Sequence, residues 1–103
     1  MKVIIIDDEN KSRRVLEELL KINVKEIDTI LHASDLVSGV EIIKNEKPQI
    51  VFLDIEMPLI NGFDLLDGLK EKPQIIFITS KADYAVKAFD YEATDFLQKP
   101  ISK

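Results

Sequence analysis

Acids, a hydroxyl and an ammonium group end successive apolar runs in this chain. Asp7 and Asp8 follow Val3-Ile4-Ile5-Ile6, and Asp54 follows Ile50-Val51-Phe52-Leu53. Thr79 follows Ile75-Ile76-Phe77-Ile78, and Lys99-Pro100 comes just after Phe96-Leu97. The three carboxylates are hard oxygen donors with no His or Cys near them in sequence. Such donors select Mg²⁺ or Mn²⁺, and Mg²⁺ held by few carboxylates keeps several waters. Two carboxylates ~4 Å apart repel by roughly 4 kcal/mol at an effective dielectric near ~20. Brought together they call for a cation, or else for a shared proton. Taken singly each group has a plainer use: Asp8 as the cap of a following helix, Thr79 as an ordinary strand end, Lys-Pro as a turn. Their common position after apolar runs is what makes them a candidate site.

What must hold these residues is a parallel sheet. Runs of four β-branched and aromatic residues read as strands buried on both faces, and the carboxyl ends of parallel strands share one edge. Strand-like runs alternate with helical patterns, which predicts an α/β fold with right-handed crossovers. The first strand covers about Lys2 to Ile6. A helix from Asn10 to Ile22 follows, with Val15, Leu16, Leu19, Leu20 and Ile22 on its buried side. Arg13–Glu17 and Arg14–Glu18 are spaced for i,i+4 pairing on its wet side, at ~0.3 kcal/mol each. A weaker strand from Asp28 to His32 has the mixed polarity of a sheet edge. The second helix starts after Ser34 or Asp35, carries Leu36, Val40 and Ile43 on one face, and stops before Pro48. Strands at Gln49 to Leu53, Gln74 to Ile78 and Asp95 to Gln98 alternate with helices at Gly62 to Glu71 and Asp83 to Tyr91. Chains of this pattern commonly form doubly wound sheets, and one common order, 2-1-3-4-5, binds ligands between strands 1 and 3. The acids end those two strands.

Composition narrows the function. At 103 residues there is room for one domain. The net charge of -5, with basic residues scattered among acids, excludes this segment as a direct binder of nucleic acid. No apolar stretch approaches the ~20 residues of a membrane span. The absence of cysteine removes disulfides and thiolate metal sites and fits a cytoplasmic location. His32, the only histidine, lies on the weak second strand away from the site edge and reads as structural.

The order Asp7-Asp8, Leu53-Asp54-Ile55-Glu56-Met57-Pro58 with Asn61-Gly62, Thr79-Ser80 and Lys99-Pro100 resembles the receiver domain of two-component response regulators, over essentially the whole chain. Tyr84-Ala85-Val86-Lys87-Ala88-Phe89, followed by Ala93, Asp95, Phe96 and Leu97, resembles receivers of the LytTR-type (LytR/AlgR-like) subfamily. The resemblance implies a flavodoxin-like fold and a phosphorylation-dependent switch rather than an enzyme acting on a separate substrate. Asp54 would be the phosphoacceptor, charged by a sensor histidine kinase. Mg²⁺ would be held by Asp8, Asp54 and the backbone carbonyl of Glu56, with Asp7 acting mainly through water. Lys99, aimed by a cis Lys99–Pro100 bond, would pair with phosphoryl oxygens, and Thr79 would hydrogen-bond one of them. Thr79 and Phe96 would switch the surface around the fourth helix and fifth strand, where Tyr84, Lys87 and Tyr91 offer a partner face. Glu56 and Lys81 flank the phosphoryl group in such domains, so a pair between them would slow its hydrolysis.

The family implies a fifth helix after Lys-Pro, but this sequence stops at Lys103. Leaving ~400 Å² of sheet uncovered would forgo about 10 kcal/mol, comparable to a domain's net stability. The expectation is therefore a receiver domain over residues 1–103 that is C-terminally truncated, from a longer regulator with a DNA-binding output domain. A homodimer that covers the exposed face is the other solution. Two other functions compete. Asp54-Ile55-Glu56 faintly echoes the Asp-x-Asp of haloacid dehalogenase phosphatases, although that family orders its acids differently and needs a larger core. A pseudo-receiver docking module is the other, against which the acid set is complete.

Overall fold

The computed structural model describes residues 1–54, 73–79 and 95–98, with side chains at 1–54 and 73–78. Five strands, β1 (Lys2–Ile6), β2 (Thr29–Ala33), β3 (Ile50–Asp54), β4 (Gln74–Thr79) and β5 (Asp95–Gln98), run parallel in the order β2-β1-β3-β4-β5. Two helices are described, α1 (Asn10–Asn23) and α2 (Leu36–Glu46). The reversal of winding direction falls between β1 and β3, where the strand order predicts a ligand crevice.

Alternation along the strands divides the core between two faces. Ile4 and Ile6 of β1, Val51 and Leu53 of β3, and Phe77 of β4 join Leu36, Val40 and Ile43 of α2. Val3, Ile5, Phe52 and Ile78 pack instead with Leu16 and Leu20 of α1. β1 is thus apolar at every central position because it is covered twice, as the unbroken Val3–Ile6 run requires. β2, paired with β1 and standing at the sheet edge, keeps His32 and Thr29 partly or fully in water.

Helix starts and stops follow local chemistry. Asp35 is the N-cap of α2, and its carboxylate accepts from the Ser38 backbone N–H at 2.7 Å. The helix ends on Lys47 in the left-handed conformation, φ 51°, directly before Pro48. Gly39 sits where α2 lies closest to β1: a Cβ there would come within 2.4 Å of Ile6 Cδ1.

Several expectations need correction. On α1 the buried positions are Leu16 and Leu20, whereas Val15 and Ile22 are 45% and 61% exposed. α1 therefore buries a narrower stripe against the sheet than the five apolar residues suggested. Glu17 pairs with Lys21 and His32 instead of Arg13. β2 and β3 each lie one residue later than expected, which brings Asp54 inside its strand. The expected helices at 62–71 and 83–91, the Lys99–Pro100 bond and the chain end at Lys103 lie outside the described residues.

Candidate functional site

β1 delivers Asp7 to the carboxyl edge and β3 delivers Asp54. The Asp7 N–H donates to the Ala33 carbonyl at 3.1 Å, so the β1–β2 ladder extends one residue past the strand. Side-chain alternation puts Asp7 in phase with Val3 and Ile5, and Asp54 in phase with Phe52. All of these belong to the α1 side of the sheet. The two carboxylates are therefore aimed to the same side of adjacent strands, and both are buried, at 1% and 3% exposure.

Asp8 and Glu9 complete the cluster from the turn that leads into α1. One carboxylate oxygen from each of Asp7, Asp8, Glu9 and Asp54 lies within 4.8 Å of the others. The buried pair forms the floor and the exposed pair the rim. Asp7 Oδ1 accepts from the Glu9 N–H at 3.0 Å, which folds the turn back over the floor. The N-cap of α1 is Glu9, and it makes no side-chain capping bond to the helix. Asp8 is thus not the helix cap, the plainer use its position allowed. Glu9 was not foreseen as a site residue. Its signal was present in the unbroken acidic run Asp7-Asp8-Glu9.

Arg13, one turn into α1, reaches back to this loop. Its guanidinium donates to the Asp7 carbonyl and to Asn10 Oδ1. It also forms one wall of a cavity of about 330 Å³, shared with Asn10, Arg14, Glu17 and His32. In that cavity His32 Nε2 stands 2.6 Å from Glu17 Oε1, and Lys21 Nζ stands 3.3 Å from the other oxygen. The hydrogen bond from His32 holds the Glu17 carboxyl below its ordinary value; Lys21 adds to the effect and burial opposes it. The contact ties edge strand β2 to α1. His32 pairs in register with Ile5, two residues before Asp7, and so stands nearer the carboxyl edge than the sequence suggested.

Of the other anticipated residues, Thr79 is placed by its backbone at the end of β4, and Phe96 lies on β5 in register with Phe77. Their side chains are outside the described set. Glu56, Lys81 and Lys99 also lie outside it, as do Tyr84, Lys87 and Tyr91. Chemically, Asp7, Asp8, Glu9 and Asp54 form an all-oxygen, anionic cluster at a sheet edge, two of them buried and two exposed. That donor set suits a small hard divalent cation and provides a carboxylate nucleophile beside it. Among the described residues no helix is long and apolar enough to cross a membrane.

Comparison with known proteins gives one consistent result. Residues 3–103 match the model of the response regulator receiver domain family. An uncharacterized response regulatory protein of Vibrio cholerae is 40% identical over 103 residues, covering 98% of this chain and 43% of that protein. The transcriptional regulatory protein BtsR of Escherichia coli is 36% identical over 105 residues, covering 100% of this chain and 44% of BtsR. The chain therefore spans less than half the length of these relatives. Among solved structures, the response regulatory domain of mrkE from Klebsiella pneumoniae superposes with a TM-score of 0.83 at 30% identity, covering 99% of this chain and 85% of that one.

Proposed function

We propose, from the premise that this chain belongs to the response regulator receiver domain family of two-component systems, that it is a phosphoacceptor switch charged at Asp54. The observation that carries the reading is the convergence of Asp7, Asp8, Glu9 and Asp54 within 4.8 Å at the carboxyl edge, with Asp54 in the buried floor. A carboxylate oxygen of Asp54 attacks the phosphorus of a phosphohistidine on a sensor kinase. The new O–P bond forms as the N–P bond breaks, and the departing imidazole takes up a proton. Asp8, Asp54 and the Glu56 carbonyl would hold Mg²⁺, with Asp7 mainly through water. When bound, that ion supplies charge neutralisation to the transferring group.

The remaining assignments are expectations from the sequence. Lys99 neutralises phosphoryl charge, and Thr79 donates a hydrogen bond to a phosphoryl oxygen. The rearrangement of Thr79 and Phe96 then shifts the population of the surface near β5. Glu56 and Lys81 shield the acyl phosphate from water. On this reading the domain is the cytoplasmic receiver of a longer LytTR-type transcription regulator.

Incubation with Mg²⁺ and a small phosphodonor tests the nucleophile. Wild type should gain one hydroxylamine-labile phosphoryl group per chain. Asp54→Asn should gain none, and chelation of the metal should abolish labelling of wild type. Labelling retained in Asp54→Asn would move the nucleophile elsewhere. Repeated turnover of a phosphomonoester, instead of stoichiometric labelling, would replace the switch with a phosphatase. In the double variant Glu56→Ala/Lys81→Ala, the acyl phosphate should hydrolyse faster; an unchanged lifetime would remove their shielding role.

A further inference from the structure

We infer that Arg13 is a positioning residue for the cation site, acting by locking the loop that carries Asp7, Asp8 and Glu9. The inference rests on the reading of the acid cluster as that site. Its basis is a pair of contacts: the guanidinium bridges the Asp7 carbonyl, at the end of β1, and Asn10 Oδ1, at the first residue of α1. The bridge spans the whole acid turn. The turn is further fixed at its ends, by the Asp7 N–H on the Ala33 carbonyl and the Arg13 N–H on the Glu9 carbonyl. Within it, the Glu9 N–H bonds Asp7 Oδ1.

Asp8 and Glu9 are exposed and sit on a short irregular segment. Mutual repulsion would drive their carboxylates away from the buried pair if the turn were free to open. A planar guanidinium with several donors in fixed directions can hold two acceptors at once, which a lysine ammonium on its flexible stem does not reproduce. Ligand-positioning groups of this kind raise affinity by restricting the donors before the ion arrives.

Charge and geometry make opposite predictions here, which makes the inference testable. A cation beside a cation site weakens binding by simple repulsion. If Arg13 acted only as a charge, Arg13→Gln would strengthen metal binding and Arg13→Lys would leave it unchanged. If it positions the loop, both substitutions weaken binding, and lysine does not rescue.

The experiment is Mn²⁺ affinity of the full chain, read by electron paramagnetic resonance of free Mn²⁺, for wild type, Arg13→Lys, Arg13→Gln, Arg14→Gln, Asn10→Ala, Arg13→Gln/Asn10→Ala and Asp8→Asn. Thermal midpoints measured in parallel identify the folded fraction. Arg13→Lys and Arg13→Gln should each bind about tenfold more weakly. Arg14→Gln, which removes the same charge from the next residue, should bind as wild type or slightly tighter. Asn10→Ala should weaken binding in wild type and add nothing to Arg13→Gln, since the two share one bridge. Wild-type affinity in Arg13→Lys, with Asp8→Asn weakened, overturns the positioning role alone. Unchanged affinity in Asp8→Asn overturns the cation site, and the role of Arg13 falls with it.

Discussion

Asp7, Asp8 and Asp54 were legible from sequence because each ends a run whose period and composition fix its place at a strand terminus. Arg13 and Glu17 were not. Helical i,i+4 spacing pairs them with each other, yet Arg13 reaches back to the Asp7 carbonyl and Glu17 reaches across to His32. Each thus has a partner outside α1 besides its partner within it, Asn10 for Arg13 and Lys21 for Glu17, and helix periodicity cannot show the outside ones. The Glu17–His32 contact has a pH consequence. Because folding lowers the Glu17 carboxyl value, its stabilising contribution is complete above the unfolded value near ~4.3 and disappears as pH falls through the lower folded value. Glu17→Gln should therefore lower the unfolding free energy measured in urea at pH 6, by at most about 1 kcal/mol for a pair this exposed to water. The deficit should close below about pH 4. A deficit that persists unchanged at low pH would show that the carboxylate charge is irrelevant.

Among the elements, β1 was the most legible and α1 the least faithful to its pattern. An apolar run covered on both faces leaves no ambiguity about which residues are buried. A helix with five apolar positions does, because the sheet it meets decides how wide a stripe is covered. The close packing of α2 on β1 was invisible in sequence, since nothing about Gly39 announces that Ile6 fills the space a side chain would need. Gly39→Ala should cost about 1–3 kcal/mol by overpacking, partly offset by the better helix propensity of alanine. Ile6→Val removes the nearest clashing atom and should restore part of that loss, although alone it costs about 1 kcal/mol. Thermal unfolding of the two single variants and the double variant would show the coupling. Strict additivity would mean that the helix moves aside freely.

The alternation of elements predicts parallel strands, and the strand order β2-β1-β3-β4-β5 is the one the resemblance implied. The sequence could not supply the energetic state of the site itself. Four carboxylates within 4.8 Å of one another repel, and a bound cation would relieve that repulsion. Metal-free Asp8→Asn should accordingly melt higher than metal-free wild type, and saturating Mg²⁺ should raise wild type far more than the variant. Equal melting in the metal-free state would show that solvent already screens the cluster. The position of Asp54 carries one more consequence. It ends the middle strand of the five, with β1 on one side and β4 on the other. On the β1 flank Val3 to Ile6 are buried between α1 and α2, with Gly39 of α2 close against Ile6. On the proposed reading, a phosphoryl group added to Asp54 would sit beside this doubly covered flank, and we expect the displacement to run toward β4. Amide hydrogen exchange before and after phosphorylation should leave β1 and α2 unchanged and alter protection from β4 outward; equal change on both flanks would show that the signal leaves in both directions.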